Sequence, residues 1–429
     1  MIERSYNDGI RWSSEIHDCS MPLSFDTYSS CSYNCLYCFA FFQKDHLLDG
    51  YKKKDNVKVR QVKSVHEGYI KKLFITCLMD KPTLMSAKQF HPYIKNRITM
   101  QWGGMADGFD ENERKHGISL ELLKFFDKID YPLSISTKGT WWTKDKRYME
   151  LFEKHPHNWH IKMSIITLDK EKARKMEEYC PSPQERLNAI KRLSDIGIHC
   201  TLRLRPYIVG LSEDYPQLIH EASKAGADSV TTEFFCLEQR ADERLKEKYR
   251  QMSEIVGYDI WEFYRKHSSH MGYLRLNYNL KIPIIKNMRK IAHKHKMLFY
   301  VSDAHHKEKC DALCCCGTPP KFKVFEGHFN KALQIAKQRK DHIVKWSDIS
   351  PELERIFGHI RYVDALNTQD TRQRGMRIRE RIPDFLLEAW NNPKHPKSPY
   401  INYDKILYPI GLDEDNNVIY KLNTKKMRK

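Results

Sequence analysis

The sequence predicts an α/β protein whose main part is a partial (β/α)6 barrel of the TIM type, followed by a helical and charged C-terminal extension. Two observations favour this architecture. Short apolar runs alternate with amphipathic helical patterns between residues 22 and 235, as they do in βα units that build a parallel sheet. The apolar runs number six, fewer than the strands of a closed barrel, so the predicted barrel is incomplete.

The elements follow one another with clear boundaries. The helix that begins after Ser182 is the best marked, because Ser182 can cap it, Pro183 suits its first turn and Glu185 can complete a capping box. The predicted strands span residues 22–27, 97–102, 133–137, 160–166, 198–205 and 228–235, and the predicted helices among them span residues 120–129, 146–155, 182–195 and 215–225.

The chain divides into three predicted parts. Residues 1–240 form the barrel, residues 241–320 form a helical segment that closes it, and residues 321–429 form a basic C-terminal extension. Residues 297–302 are apolar enough to add one more strand. The extension contains an arginine-rich stretch at residues 372–381, which is typical either of phosphate contacts or of a solvated face.

Composition narrows the function. The chain has 429 residues, with 73 Lys and Arg against 55 Asp and Glu, and a formal charge of +18. Such an excess favours a polyanionic partner, and nucleic acid is the predicted one. No apolar run reaches the length of a membrane span, the first residues do not resemble a signal peptide, and the cysteines show no pairing pattern. These features predict a cytoplasmic protein without a membrane partner.

The most informative motif is a loop with the spacing C-x3-C-x2-C, formed by Cys31, Cys35 and Cys38. Three thiolates on one short loop can hold three irons of a [4Fe-4S] cluster and leave the fourth iron open for chemistry. A structural zinc ion would need a fourth ligand at a usual spacing. A disulfide framework is not expected in a chain of this size. An open iron–sulfur cluster is therefore the favoured interpretation, with zinc as the alternative.

This loop, with Tyr37 directly before its last cysteine, resembles that of the radical S-adenosylmethionine (SAM) enzymes. Later motifs, in order GGMADGF, STK, KMSI, PSPQER and LRLRPYIVG, resemble the branch of spore photoproduct lyase-like proteins, often called DNA repair photolyases. The resemblance covers residues 25–320. It implies a cluster on the three cysteines, cleavage of bound SAM to a 5′-deoxyadenosyl radical, and an external electron donor such as flavodoxin or ferredoxin.

The resemblance also implies cofactor-binding roles for individual residues. Tyr37 would lie against the adenine, Lys138 would face the methionine carboxylate, and Ser164 would reach the ribose. The remaining implied positions are Gly103, Gly104 and Asp107 near the methionine amino group, and Arg205 on a carboxylate or phosphate. One departure stands out, because Met105-Ala106 replaces the Cys-Ser pair of true spore photoproduct lyases, whose cysteine donates a hydrogen atom.

A second group of cysteines consists of Cys310, Cys314, Cys315 and Cys316. Their density favours an auxiliary iron–sulfur cluster, a redox-active or hydrogen-donating catalytic thiol, a zinc site, or structural packing. A thiol here that reached the active site would replace the donor missing at Met105. The other cysteines are interpreted as core residues.

Two tryptophans complete the predicted site. Trp141 and Trp142 stand among cations just beyond a predicted strand, an arrangement that can stack a base and hold its phosphates. The alternative is that one of them packs under the following helix.

Together these features predict a radical SAM enzyme that repairs or modifies a nucleobase or sugar in DNA or RNA. A radical SAM enzyme that modifies a peptide or protein is one alternative. A non-catalytic iron–sulfur protein that binds nucleic acid is the other. The C-terminal extension is predicted to hold a nucleic acid strand or to dock a second protein.

Overall fold

The computed structural model describes residues 2–13, 15–40, 62–83, 85–239, 241, 243–268, 273–358 and 382–428. The arginine-rich stretch at 372–381 lies outside these residues. Among the helices that the described ranges contain, none combines the length and the apolar character needed to cross a membrane.

The core of the fold is one curved sheet. In their order across the sheet, its strands are β1 (Ile10–Trp12), β2 (Leu23–Phe25), β3 (Met100–Trp102), β4 (Leu133–Thr137), β5 (Trp159–Ser164), β6 (His199–Tyr207), β7 (Ser229–Phe234) and β10 (Leu298–Val301). β1 pairs antiparallel with β2, and every other neighbouring pair in this sheet is parallel. In the described part of the chain the two edge strands do not pair, which confirms a partial barrel.

Helices cover the outer face of this sheet in the alternation that the sequence predicts. Ser182 caps its helix by a full capping box with Glu185, as expected from the sequence. The helices of the barrel and of the segment that follows it are Glu67–Leu78, Met85–Lys95, Glu111–His116, Ile118–Lys128, Lys146–Phe152, Lys170–Met176, Pro183–Asp195, Tyr215–Lys224, Glu243–Val256, Ile260–His267 and Tyr278–Lys294. A small hairpin pairs β8 (Cys236–Glu238) with β9 (Tyr273–Arg275).

The two faces of the parallel sheet differ in polarity. Side chains alternate along each strand, so Leu133 and Ile135 point to the outer helices while Ser134 and Ser136 point to the inner face. The inner face is lined by polar residues on four consecutive strands, namely Ser134 and Ser136, His160, Lys162 and Ser164, Thr201, Arg203 and Arg205, and Ser229, Thr231 and Glu233. Parallel sheets are usually apolar on both faces, so this polar interior marks a place for a ligand.

The segment after β10 lies across the inner face. The carbonyl of Cys315 accepts a hydrogen bond from Thr231, and the carbonyl of Gly317 accepts one from Thr201. The hydroxyls of Ser134 and Thr318 are 3.1 Å apart. The second cysteine cluster is therefore held inside the barrel.

The C-terminal part has its own sheet, with β13 (Val418–Leu422) between β11 (Ile343–Val344) and β12 (Leu407–Leu412). Its core forms around Trp390, which packs on Tyr420 and Phe329. Its helices are Phe329–Gln338, Ser350–Phe357, Ile382–Asn391, Pro399–Asn402 and Thr424–Arg428.

A buried ionic contact joins this part to the barrel. Asp18 accepts hydrogen bonds from Lys307 and Tyr403, and all three side chains are buried. The C-terminal part therefore packs against the strand-bearing body through polar as well as apolar contacts.

Candidate active site

The cysteine loop begins directly after β2, at the carboxyl edge of the sheet. Backbone contacts fix it at two points, because Ser32 N donates to Asp110 Oδ2 at 2.5 Å and Leu36 N donates to the carbonyl of Met176 at 3.0 Å. Cys35 is buried, and Cys31 and Cys38 are partly buried. None of the three forms a disulfide, so their sulfur atoms can serve as ligands.

The thiol of Cys35 lies in a charged environment. Its Sγ atom is 3.8 Å from that of Cys180. The Cys180 hydrogen bond lowers the pKa of Cys35, burial opposes this, and the Lys138 ammonium lowers the pKa further. Burial would lower the pKa of Lys138, but Cys35, Glu177 and Cys180 more than offset it, so that pKa is raised. Lys138 is therefore a permanent cation beside the loop.

Glu177 organises the other side of the loop. It is buried and forms a 2.6 Å ion pair with Arg186, and it accepts a hydrogen bond from the hydroxyl of Tyr37. Burial raises its pKa, but Arg186 and Lys138 outweigh that effect, so its pKa is lowered. Lys138 Nζ also lies 5.6 Å from the centroid of the Tyr37 ring.

Sequence reasoning missed Glu177 and Arg186, and it assigned Cys180 to the core, whereas the structure places Cys180 against Cys35. A signal was available for these residues. Glu177 and Cys180 precede the capping box of helix Pro183–Asp195, and Arg186 follows it. A well-marked helix start between two barrel strands is a place where side chains can reach the site.

The spacing of ligand atoms distinguishes a cluster from a single ion. Among the described residues, two groups bring three ligand atoms within 4.8 Å of one another, Cys35–Glu177–Cys180 and Asp130–His155–His157, and neither contains two of the loop cysteines. One zinc ion needs all its ligands that close. The cysteines of a [4Fe-4S] cluster each bind a different iron and stand farther apart. The loop therefore fits a cluster better than a zinc ion.

The turn after β3 is held by two carboxylates. Asp26 accepts from the amides of Met105 and Ala106. Asp107 accepts from Thr137 Oγ1 at 2.8 Å and from Lys138 N at 2.6 Å. Asp107 therefore ties this turn to the end of β4 and fixes the backbone from which Lys138 projects.

The two glycines of the turn are required by packing. Gly103 has φ +86°, and a Cβ atom there would lie 2.3 Å from the carbonyl oxygen of Ser136. A Cβ atom on Gly104 would lie 2.6 Å from Ser24 Oγ. The backbone of the turn thus lies directly against the neighbouring strands, and contact of these glycines with a ligand stays a prediction.

The inner face carries three cations. Arg205 pairs with Glu233, which raises its pKa although burial opposes it. Arg203 donates to Ser164 Oγ at 3.3 Å, and burial lowers its pKa to about 10. Lys162 is 1% exposed, and its ammonium has no hydrogen-bond or ion-pair partner among the residues that the structure describes. Burial lowers the pKa of Lys162 to about 8, although Cys316 and Cys314 oppose this.

Cys316 is the member of the second cysteine group that reaches this face. Its Sγ atom is 3.7 Å from Arg205 Nη1 and 3.9 Å from Gln101 Oε1. The thiols of Cys314 and Cys315 hydrogen-bond to it and lower its pKa, which Lys162 and Arg205 lower further against the effect of burial. Cys310 is separate, because its Sγ atom bonds to the backbone N and O of Val301 at 3.2 and 3.3 Å.

The tryptophans differ from the prediction. Trp142 is fully buried, donates to the carbonyl of Gly139 at 2.9 Å, and packs between Phe109 and Phe152. It is a core residue, and its prediction as a substrate-binding residue is wrong, because a buried ring has no free face for a base. Trp141 is partly exposed and donates to the carbonyl of Phe109, so its predicted substrate contact stays a prediction.

Comparison with known proteins defines the class. Residues 26–222 match the model of the Radical SAM superfamily, and the chain therefore carries a radical SAM domain. This superfamily uses a [4Fe-4S] cluster together with SAM. The matched residues include the cysteine loop, Lys138 and the strands that bear the three cations.

The chain is also similar to curated and solved proteins. It is 27% identical over 171 residues to the uncharacterized proteins Rv2578c of Mycobacterium tuberculosis and Mb2609c of Mycobacterium bovis, covering 36% of this chain and 50% of theirs. It therefore spans about half the length of these curated relatives. A mutant of spore photoproduct lyase superposes with a TM-score of 0.48 and 15% identity over 69% of this chain and 79% of the lyase. Streptococcus suis SuiB bound to precursor peptide SuiA superposes with a TM-score of 0.39 and 14% identity over 68% of this chain and 51% of SuiB.

The contacts within the second cysteine group lead to a prediction about iron. The thiols of Cys314 and Cys315 hydrogen-bond to Cys316, and Cys310 bonds to the backbone of Val301, so we predict that these cysteines remain thiols. Iron and sulfide analysis of the anaerobically reconstituted protein is expected to give about four of each per chain. A value of about eight would instead establish a second cluster.

Proposed function

We propose that this protein is a radical SAM enzyme that repairs or modifies a nucleobase or sugar in a nucleic acid. In this proposal Cys31, Cys35 and Cys38 hold the cluster, and Lys138 faces the SAM carboxylate. The other SAM-binding positions keep the roles that the resemblance implies: Tyr37, Gly103, Gly104, Asp107 and Ser164. Cluster and SAM supply a 5′-deoxyadenosyl radical that removes a hydrogen atom from the substrate.

The observation that carries the nucleic acid assignment is the charge of the inner face. Lys162, Arg203 and Arg205 carry three positive charges, and Glu233 supplies one negative charge. Cys316 can supply a second as a thiolate. The face stays positive even then. Lys162 is buried and the two arginines are partly buried. Cations withdrawn from water are costly unless an anion accompanies them, so the arrangement suits a substrate that brings its own negative charge.

A phosphate diester is the anion that best fits the rest of the chain. The formal charge of +18 would attract a polyanion at long range, while the inner cations would receive one phosphate close to the radical. A peptide substrate lacks a comparable run of charge. In this proposal Arg205 contacts a phosphate rather than SAM, and Trp141 contacts a neighbouring base.

Further parts of the proposal concern the surroundings of the reaction. An external electron donor such as flavodoxin or ferredoxin would reduce the cluster. The structure places none of the twelve cysteines in a disulfide, and we propose that the protein works in the reducing cytoplasm. DNA repair is the specific role that we propose for the activity, and the C-terminal extension would hold the strand or dock a protein partner.

Anaerobic turnover with deuterated DNA or RNA tests the proposal directly. Deuterium that appears in 5′-deoxyadenosine would identify both the substrate and the attacked position. Affinity for the same oligonucleotide should fall with salt, with a logarithmic slope of about 0.7 to 0.9 for each phosphate that the protein neutralises. Transfer of deuterium from a labelled peptide, and not from nucleic acid, would support the peptide alternative instead.

The low pKa of Lys162 predicts a pH dependence of substrate binding. Below about pH 8 the ammonium is charged and attracts the substrate anion, and above that value the charge is lost. The affinity for an oligonucleotide should therefore decrease as the pH rises through about 8, measured by fluorescence anisotropy at constant salt. The Lys162→Met variant should lack this decrease. Because Lys162 also lowers the pKa of Cys316, the same comparison is made in a Cys316→Ser background.

A further inference from the structure

A group of metal-binding side chains lies at the end of the barrel opposite the cysteine loop. Asp130 precedes β4, and His155 and His157 precede β5, so all three lie at the amino edge of the sheet. His155 Nδ1 is 3.3 Å and His157 Nε2 is 3.1 Å from the same oxygen, Asp130 Oδ1. The three ligand atoms lie within 4.8 Å of one another.

The inner histidine of this group is oriented as metal-binding histidines are. His155 is 5% exposed, and its Nε2 atom is 2.9 Å from Asp127 Oδ1. That carboxylate, which Lys154 also contacts at 3.4 Å, fixes the ring so that Nδ1 points to Asp130. Nδ1 is buried and has no hydrogen-bond partner among the described residues. A carboxylate on one ring nitrogen with the other nitrogen free is the usual arrangement behind a metal ligand.

The backbone around the group is held in place before any ion arrives. Asn158 donates to Asp130 Oδ1 at 2.7 Å and to the Asp130 carbonyl at 3.2 Å, and its own carbonyl accepts from Leu133 N at 3.0 Å. The His155 ring stacks on Trp159 at 4.3 Å. A site built on such fixed elements needs little rearrangement to bind an ion.

We propose that Asp130, His155 and His157 bind a divalent metal ion of the zinc type at the amino edge of the barrel. Two imidazoles and one carboxylate are a ligand set that Zn²⁺ prefers, and water can complete the four-coordinate shell. The side chains of Asp130 and His157 are 59% and 58% exposed, which gives the ion a path from solvent. The bound ion links the segments that lead into β4 and β5, and this role is independent of the function proposed above.

Calorimetric titration with Zn²⁺ tests this site on the protein that already carries its cluster, so that the loop thiols are occupied. One ion per chain is expected for the parent protein. His157→Ala and Asp130→Asn should each weaken this binding at least about 100-fold, and Asp127→Asn should weaken it about 10- to 100-fold through the orientation of His155. Asp130 and His157 are exposed, so these two variants are expected to fold.

A nearby pair provides the matched control. His199 Nδ1 lies 2.8 Å from Asp228 Oδ2 at the start of β6. Among the described residues no second histidine joins this pair in a metal-binding group, so His199→Ala should bind Zn²⁺ as the parent does. X-ray absorption at the zinc edge should show nitrogen and oxygen ligands only. The proposal is overturned if sulfur ligands appear, if the parent binds no zinc, or if His157→Ala and His199→Ala bind it equally.

Discussion

Replacing Cys31 by alanine is expected to leave a folded chain that carries no stable cluster and forms 5′-deoxyadenosine at the background rate. Cys31 is partly buried in a loop, and its Sγ atom accepts hydrogen bonds from Tyr33 N, at 3.4 Å, and from the backbone of Asp107. The loop itself is anchored elsewhere, at Ser32 and Leu36. Loss of one of three thiolate ligands removes an iron attachment, and we expect reductive cleavage of SAM to fall more than about 1,000-fold, or over about 4 kcal/mol.

The matched control for this experiment is Cys180→Ala. Cys180 lies 3.8 Å from Cys35 but stands outside the C-x3-C-x2-C loop. Its replacement should preserve the iron content and lower the rate of 5′-deoxyadenosine formation by less than about tenfold, since it removes one hydrogen bond to a ligand rather than a ligand. If Cys180→Ala lost its iron while Cys31→Ala retained it, the assignment of the cluster ligands would be wrong.

The fold was predictable because its signals are local. Alternating apolar and helical patterns predicted the six parallel strands of the partial barrel, and the capping box at Ser182 predicted a helix start that the structure confirms. Residues 297–302 were predicted as an additional strand, and the strand found there, Leu298–Val301, pairs with β7. Its pairing could not be predicted, because it depends on contacts between residues that are far apart in the sequence.

The site was predictable only where a motif is contiguous. The cysteine loop and Lys138 are marked by short motifs, whereas Glu177 and Arg186 become neighbours of the loop through tertiary packing. For Trp142 the neighbouring sequence was misleading rather than uninformative. Its surroundings in sequence are polar and cationic, but its ring fills the space between Phe109 and Phe152, which nothing in the neighbouring sequence indicates.

The polar inner face was visible in the sequence as a period of two. In the run IHCTLRLR, Thr201, Arg203 and Arg205 alternate with apolar residues, which indicates that one face of a strand is polar. What the sequence did not indicate is the scarcity of counter-charges around this face. That property depends on which strands lie side by side. It distinguishes an interior that can bind an anionic ligand from one whose cations are already paired with carboxylates of the protein.

Replacing Lys162 by methionine is expected to stabilise the substrate-free protein and to weaken its binding of nucleic acid. The pKa of Lys162 is lowered to about 8 because its burial disfavours the charged form. Between about pH 8 and 10 the unfolded chain therefore binds more protons than the folded chain, and the free energy of unfolding rises with pH. Below about pH 8 the contribution of Lys162 to stability is at its lowest. Methionine has a similar length and carries no charge, and removing the buried cation should add roughly 2 kcal/mol of stability at pH 7.

Binding should change in the opposite direction. Loss of one phosphate contact should weaken oligonucleotide affinity roughly 10- to 100-fold and reduce the salt slope by about 1. Thermal unfolding and anisotropy on the same preparations measure both effects, and Lys124→Met, on an outer helix beside Glu121, is the control that should alter neither. A Lys162→Met protein that is both less stable and unimpaired in binding would show that the ammonium is satisfied within the fold and that the inner face does not receive the substrate anion.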